Sequence, residues 1–194
     1  MIIEPLGTTR LSAWAALFET CNCPCYCRYW HFSGDKNAWL ERCATAKELN
    51  FAEHEARVQA NQDDARGLLA LEDDRAIGWM KLTPRATVPK LRKLPVYRST
   101  DLGPDEGVYS VGCFLVHPAH RGRGVARALL AAADAQVIAW GGRAIEAYPR
   151  RTPDPMHPEE AWLGPLSIFQ ALGYREIASP SLTSQYPVFR KSLE

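Results

Sequence analysis

A chain of 194 residues with 46% apolar side chains and a formal net charge of +1 can bury a core of its own. That balance excludes a disordered chain and argues against a polyanion such as nucleic acid as the main partner. No apolar run approaches the ~18 residues of a membrane span, and Met1-Ile2-Ile3-Glu4-Pro5 carries neither a basic leader nor a long apolar stretch. The expectation is a cytoplasmic protein without nucleic acid or membrane, its six cysteines reduced thiols or metal ligands rather than disulfides.

In chain order, Met1–Leu6 predicts a short strand, and Thr8 or Thr9 caps a helix carrying Leu11, Trp14, Leu17 and Phe18. Cys21-Asn22-Cys23-Pro24-Cys25-Tyr26-Cys27 follows. Structural zinc sites use two short C-x₂₋₄-C or histidine pairs separated by a longer loop, so a continuous alternation of thiols does not match that spacing. A loop of small, partly buried thiols is the plainer expectation, with a thiolate metal or redox module as the alternative. Tyr26, Tyr29, Trp30 and Phe32 read as core packing.

Asp35 caps a second helical stretch, Lys36 to Gln62, with a break near Asn50. Its face of Lys47, Glu48, Glu53, Glu55 and Arg57 is expected to be solvated, and His54 exposed. Gly67–Glu72 and Ala76–Thr83 read as a hairpin turning at Asp73-Asp74-Arg75. Pro84–Pro104, rich in proline and in Arg85, Lys90, Arg92, Lys93 and Arg98, reads as an irregular insertion or loop. Beyond the central stretch, Arg143–Tyr148 is a strand, Pro149–Pro158 a loop and Pro165–Leu172 a short helix stopped by Gly173. Tyr174–Ala178 and Tyr186–Lys191 are the last strands.

The central stretch is Val108–Trp140. Tyr109–Val116 is apolar enough for a buried strand, and His117-Pro118 ends it because proline cannot donate to a ladder. From Gly124 onward Ala126, Leu129, Leu130, Ala133, Val137 and Trp140 recur at helical spacing. Arg121-Gly122-Arg123-Gly124 therefore sits at a helix start, where unpaired N–H groups and the dipole favour an anion. The phosphate loop G-x-x-x-x-G-K-[ST] is excluded for want of its lysine. The dinucleotide pattern G-x-G-x-x-G/A fails by one position, since Ala128 lies four residues after Gly124.

Arg121-x-x-Gly124-x-Ala126, after Leu115-Val116-His117-Pro118 and before Leu129-Leu130, resembles the acyl-CoA signature R/Q-x-x-G-x-G/A of the GCN5-related N-acetyltransferases. Phe169-Gln170-Ala171-Leu172-Gly173-Tyr174 is similar to that family's late helix, Y-x-x-x-G-F. The resemblance implies one α/β domain over the whole chain, with a mixed, mostly antiparallel sheet flanked by helices. It implies acetyl-CoA as donor and a small-molecule or protein amine as acceptor, and leaves a homodimer open. The cofactor would lie on Phe114, Leu115, Val116, Arg121, Gly122, Arg123, Gly124, Val125 and Ala126, with Phe169 at the late-helix position. A backbone N–H at Cys113–Leu115 would polarise the thioester.

Phe169 lacks the hydroxyl of the family's usual general acid, so either Tyr148, Tyr174 or a water protonates the leaving thiolate, or no acid is needed because the CoA thiol is already fairly acidic. Glu146, Glu106 and His117 are the candidate bases, and Cys113, Glu146 and Tyr148 the candidate catalytic residues. The same features leave room for an acyl-CoA-binding sensor with little turnover.

Overall fold

The computed structural model describes the chain except residues 89, 92–96, 98–100, 153, 155, 158–159, 179–184 and 194. The strands alternate large apolar residues to both faces, which requires cover on both sides. They are β1 (Ile2–Pro5), β2 (Gly67–Glu72), β3 (Arg75–Pro84), β4 (Val108–Val116), β5 (Ala144–Ala147), β6 (Arg175–Ala178) and β7 (Val188–Ser192). They form one sheet in the order β1-β2-β3-β4-β5-β7-β6. Every described pairing is antiparallel except β4 with β5. The helices are α1 (Leu11–Thr20), α2 (Lys36–Thr45), α3 (Lys47–Gln59), α4 (Val125–Ala139) and α5 (Leu166–Ala171). This is the mixed, mostly antiparallel α/β architecture expected from the sequence.

Leu68, Ala70, Met80, Leu82, Val111 and Phe114 face α4, whose Leu129, Leu130, Ala133 and Val137 complete that core. Leu69, Leu71 and Trp79 face the other way, against Trp14, Leu17 and Phe18 of α1 and Val58 of α3. Asp73 and Asp74, both at positive φ (49° and 61°), turn the β2–β3 hairpin.

Two features of β4 open the sheet. Among the described residues it pairs with β5 only through Val108–Ser110 against Ala144–Glu146, and runs on to Val116 with β3 alone. On its β3 side, Lys81 lies opposite Cys113 and Leu82 opposite Val111, so Gly112 is an extra, bulged residue. Trp30 Nε1 donates to the Gly112 carbonyl at 2.9 Å, which pins the bulge.

Several expectations are corrected. The second helical stretch is two helices broken at Ala46, not at Asn50. Asn50 is buried, donating to the Pro24 carbonyl at 3.0 Å. His54 is buried, its ring 4.3 Å from that of Trp14. Part of the "solvated" charged face is paired: Arg28, itself buried, meets Glu53 at 2.6 Å and Asp64 at 3.2 Å. Arg42 pairs with Glu53 and Arg57 with Asp64.

In the proline-rich insertion, Val88, Leu91, Tyr97 and Leu102 are buried in a third apolar cluster with Trp30, Tyr148, Leu163 and Val188. Its Arg85 is buried. The guanidinium is consumed by Glu146, Asp105 and three backbone carbonyls. Arg92, Lys93 and Arg98 lie outside the described residues.

Candidate active site

The site begins where β4 ends. His117 Nδ1 accepts from the Ala119 N–H at 3.2 Å and caps a single turn, Pro118–His120. Arg121 is extended, and its Nε donates to the Val116 carbonyl at 3.3 Å. Gly122 and Gly124 then take φ of +73° and +80°, which an L side chain adopts only with strain. Gly124 is the N-cap of α4 and supplies no side-chain cap. The first N–H groups of α4 are therefore left to a ligand or solvent. A Cβ at Gly122 or Gly124 would meet nothing within 4 Å, so the space above these amides is open.

The helix start is also set close to the sheet. A Cβ on Gly78 would lie 2.5 Å from Cγ1 of Val125, the first residue of α4. Glycine at this strand position is what permits the approach.

A cavity of about 1090 Å³ extends from these amides along the unpaired edge of β4 to the cysteine loop. Phe114, Leu115, Val116, Arg121, Gly122, Gly124, Val125 and Ala126 line it, as does Cys113. Arg123 is exposed outside the lining. Phe169 is fully buried behind the wall, its ring edge-on to Phe114 at 6.2 Å and to Tyr174 at 5.4 Å.

Glu146 and Tyr148 do not line the cavity either. Glu146 is wholly buried and accepts from Arg85 at 2.7 Å, from Arg190 and from the Tyr148 hydroxyl at 2.9 Å. Tyr148 also shares a 3.1 Å hydrogen bond with Ser110. Burial, reinforced by Glu146, holds the Tyr148 phenol well above the ordinary tyrosine range. Burial also raises the Tyr174 phenol. Glu106 is exposed on the loop before β4, and neither it nor His117 lines the cavity.

The opposite wall holds Cys21, Cys23, Cys25 and Cys27. Asn22, Tyr26 and Cys27 have φ between 41° and 52°, so the loop is wound by left-handed residues. Cys23 and Cys25 Sγ lie 3.4 Å apart, and Trp79 Nε1 donates to Cys27 Sγ at 3.1 Å. Among the described residues, no three His, Cys, Asp or Glu side chains converge as metal ligands. The Cys23 thiol is pushed up by its contact with Cys25 and by burial, and Cys27 by burial. Contact with Cys27 favours the Cys113 thiolate, but burial together with the neighbouring Cys25 and Cys23 outweighs it, and that thiol too lies above its usual value.

Sequence reasoning did not single out Lys36, Trp39, His120, Arg127 or Trp162, all of which line the cavity. His120 and Arg127 flank the glycine turn closely enough to have been found as its neighbours. Trp39 and Trp162 arrive from distant segments, and nothing in their local pattern points to the cavity.

A family model described as "Acetyltransferase (GNAT) family" matches residues 26–156. No curated protein matches the sequence. Among solved structures, the chain is similar to the PaiA N-acetyltransferase of Thermoplasma acidophilum in complex with coenzyme A. That match has 14% identity, covers 99% of each chain and has a TM-score of 0.56. It is also similar to YncA of Salmonella typhimurium with acetyl-CoA, at 16% identity over 100% of this chain and 94% of that one, TM-score 0.55. A third is the ribosomal-protein-alanine N-acetyltransferase of Brucella melitensis, at 13% identity over 100% of both chains, TM-score 0.54. At these identities the structural likeness speaks for the fold, while the family match covers the organising strand, the glycine turn and α4. The chain belongs to the GNAT acetyltransferase family.

Proposed function

We propose that this protein transfers the acetyl group of acetyl-CoA directly to the primary amine of an acceptor. The carrying observation is the opened sheet edge that leads from the left-handed glycines at the start of α4 into the 1090 Å³ cavity. Gly122 and Gly124 leave room for an anion against the helix amides, and Arg121 and Arg127 add charge at the same rim. These features fit the pyrophosphate of coenzyme A, and solved relatives carry coenzyme A or acetyl-CoA.

The donor supplies an activated thioester. The chain's part is to hold it, to polarise its carbonyl and to exclude water. The backbone of Cys113–Val116 is free of β5 and faces the cavity, so its N–H groups are the candidates for polarisation. Cys113 sits beside the reacting position with a protonated thiol, which favours direct attack by the amine over an acyl-cysteine route. Glu146 and Tyr148 serve the fold as a buried ion-pair and hydrogen-bond unit. The leaving thiolate therefore takes its proton from the amine or from water.

Calorimetry with acetyl-CoA tests the cradle. Wild type binds, and Gly124→Glu, which adds a carboxylate at φ +80° beside the anion site, loses binding. A folded wild type that binds neither acetyl-CoA nor CoA overturns the proposal. Intersecting initial-velocity lines, with activity retained in Cys113→Ser, distinguish direct attack from a covalent intermediate.

A further inference from the structure

The acceptor end of the cavity has a definite chemistry. Trp39, Tyr29, Trp30 and Trp162 form one continuous aromatic wall. Successive ring centroids are 5.6 Å (Trp39–Tyr29), 5.3 Å (Tyr29–Trp30) and 6.1 Å (Trp30–Trp162) apart. Trp30 is fixed by its 2.9 Å hydrogen bond to the bulged Gly112, so the wall is anchored beside the part of β4 that borders the cavity. Its outer end, Trp162, is 39% exposed and gives access from solvent.

Among the described lining residues Arg121 and Arg127 belong to the anion rim, Lys36 lies on α2 with Trp39, and no carboxylate lines the cavity. An aromatic wall can attract cations through its ring faces. Here the protein supplies its own cation: Lys90 Nζ lies 4.3 Å from the centroid of Tyr29 and donates to the Tyr29 and Phe32 carbonyls. The wall is therefore backed by positive charge. The floor is thiol, and the buried Glu146 is engaged elsewhere.

We propose, building on the acetyl-transfer reading, that the acceptor is an aromatic amine that is already neutral near pH 7, and not a polycation. The amine nitrogen forms the N–C bond as the C–S bond to CoA breaks. The proton lost by nitrogen ends on the CoA sulfur, so no carboxylate base is required and no net proton is released. A ring on the amine stacks on the Trp30–Trp162 wall, while an ammonium would find no carboxylate partner among the described lining residues.

The test compares a substituted aniline, 2-phenylethylamine, spermidine and an aminoglycoside as acceptors, with CoA binding measured on the same preparation. The aniline should exceed spermidine and the aminoglycoside by about 100-fold or more in kcat/KM. Its rate should stay level from about pH 6 to 9, while that of 2-phenylethylamine climbs with the fraction of free amine. Trp162→Ala should raise KM for the aniline by about tenfold with CoA affinity retained. Spermidine or the aminoglycoside within tenfold of the aniline would overturn the proposal, as would CoA binding without aniline turnover. Absence of CoA binding would instead overturn the acetyl-transfer reading on which it rests.

Discussion

Glu146 separates a structural role from a catalytic one, and Glu146→Gln is the perturbation that tells them apart. The carboxylate has no solvent exposure and faces two cations, Arg85, which is equally buried, and Arg190, which is partly exposed. The amide is nearly isosteric but carries no charge, so Arg190 loses this counter-ion and the buried Arg85 keeps only Asp105. Breaking a buried pair from one side costs about 3–5 kcal/mol. With a urea m-value of about 2 kcal/mol/M for a chain of this size, the midpoint should fall by about 1.5–2.5 M. A total stability of about 10 kcal/mol, the middle of the usual range, leaves the variant folded in water. Urea melts followed by tryptophan fluorescence measure the shift. Steady-state acetylation, assayed well below the new midpoint, should keep kcat within a few-fold of wild type. A variant with an unchanged midpoint and kcat reduced by about 100-fold or more would refute this account and restore Glu146 as a proton acceptor.

Gly78→Ala places a methyl group 2.5 Å from Val125 Cγ1 and should push the start of α4 from the sheet. A loss of about 1–3 kcal/mol in stability and weaker CoA binding are expected, read by urea melts and calorimetry. Lys81 is fully buried, and burial lowers its pKa from 10.5 to about 7. Between pH 7 and 10.5 the unfolded chain holds a proton that the folded chain has released, so stability rises with pH across that window. In Lys81→Met this rise should vanish, and the variant's advantage over wild type should be greatest below pH 7, as urea midpoints along a pH series would show. The thiols of Cys23, Cys27 and Cys113 are all held above their usual range, so folded protein should alkylate at pH 7.5 far more slowly than urea-unfolded protein. Mass spectrometry of iodoacetamide-treated samples checks this site by site.

Local chemistry made the centre of the fold legible. Proline after a β-branched run marked the end of β4, and period-3.6 apolar residues after Gly124 marked α4. The glycine pair at the junction announced the positive φ values that the structure adopts. The Asp73-Asp74 hairpin was readable for the same reason. Boundaries and faces were less legible where tertiary contacts override local preference. The helix break sits at Ala46 rather than Asn50, and Asn50 continues the helix with its side chain donating to the Pro24 carbonyl of the cysteine loop. His54 looks exposed in a charged helix, yet the rings of Trp14 and Trp79 pack around it.

The sequence alone determined the strand, the glycine turn, the helix and the signature residues, since each depends on neighbours a few positions away. Only the tertiary structure decided which carboxylates and tyrosines reach the cavity. Glu146 and Tyr148 are one strand position from many plausible sites, but the alternation of β5 and the approach of Arg85 across 61 residues turn them into the core. Trp39, Trp30 and Trp162 meet in one wall because α2, the cysteine loop and the turn before α5 converge on the bulge of β4. Contacts at that separation leave no local periodicity to read, because they depend on how the chain closes over the opened sheet edge.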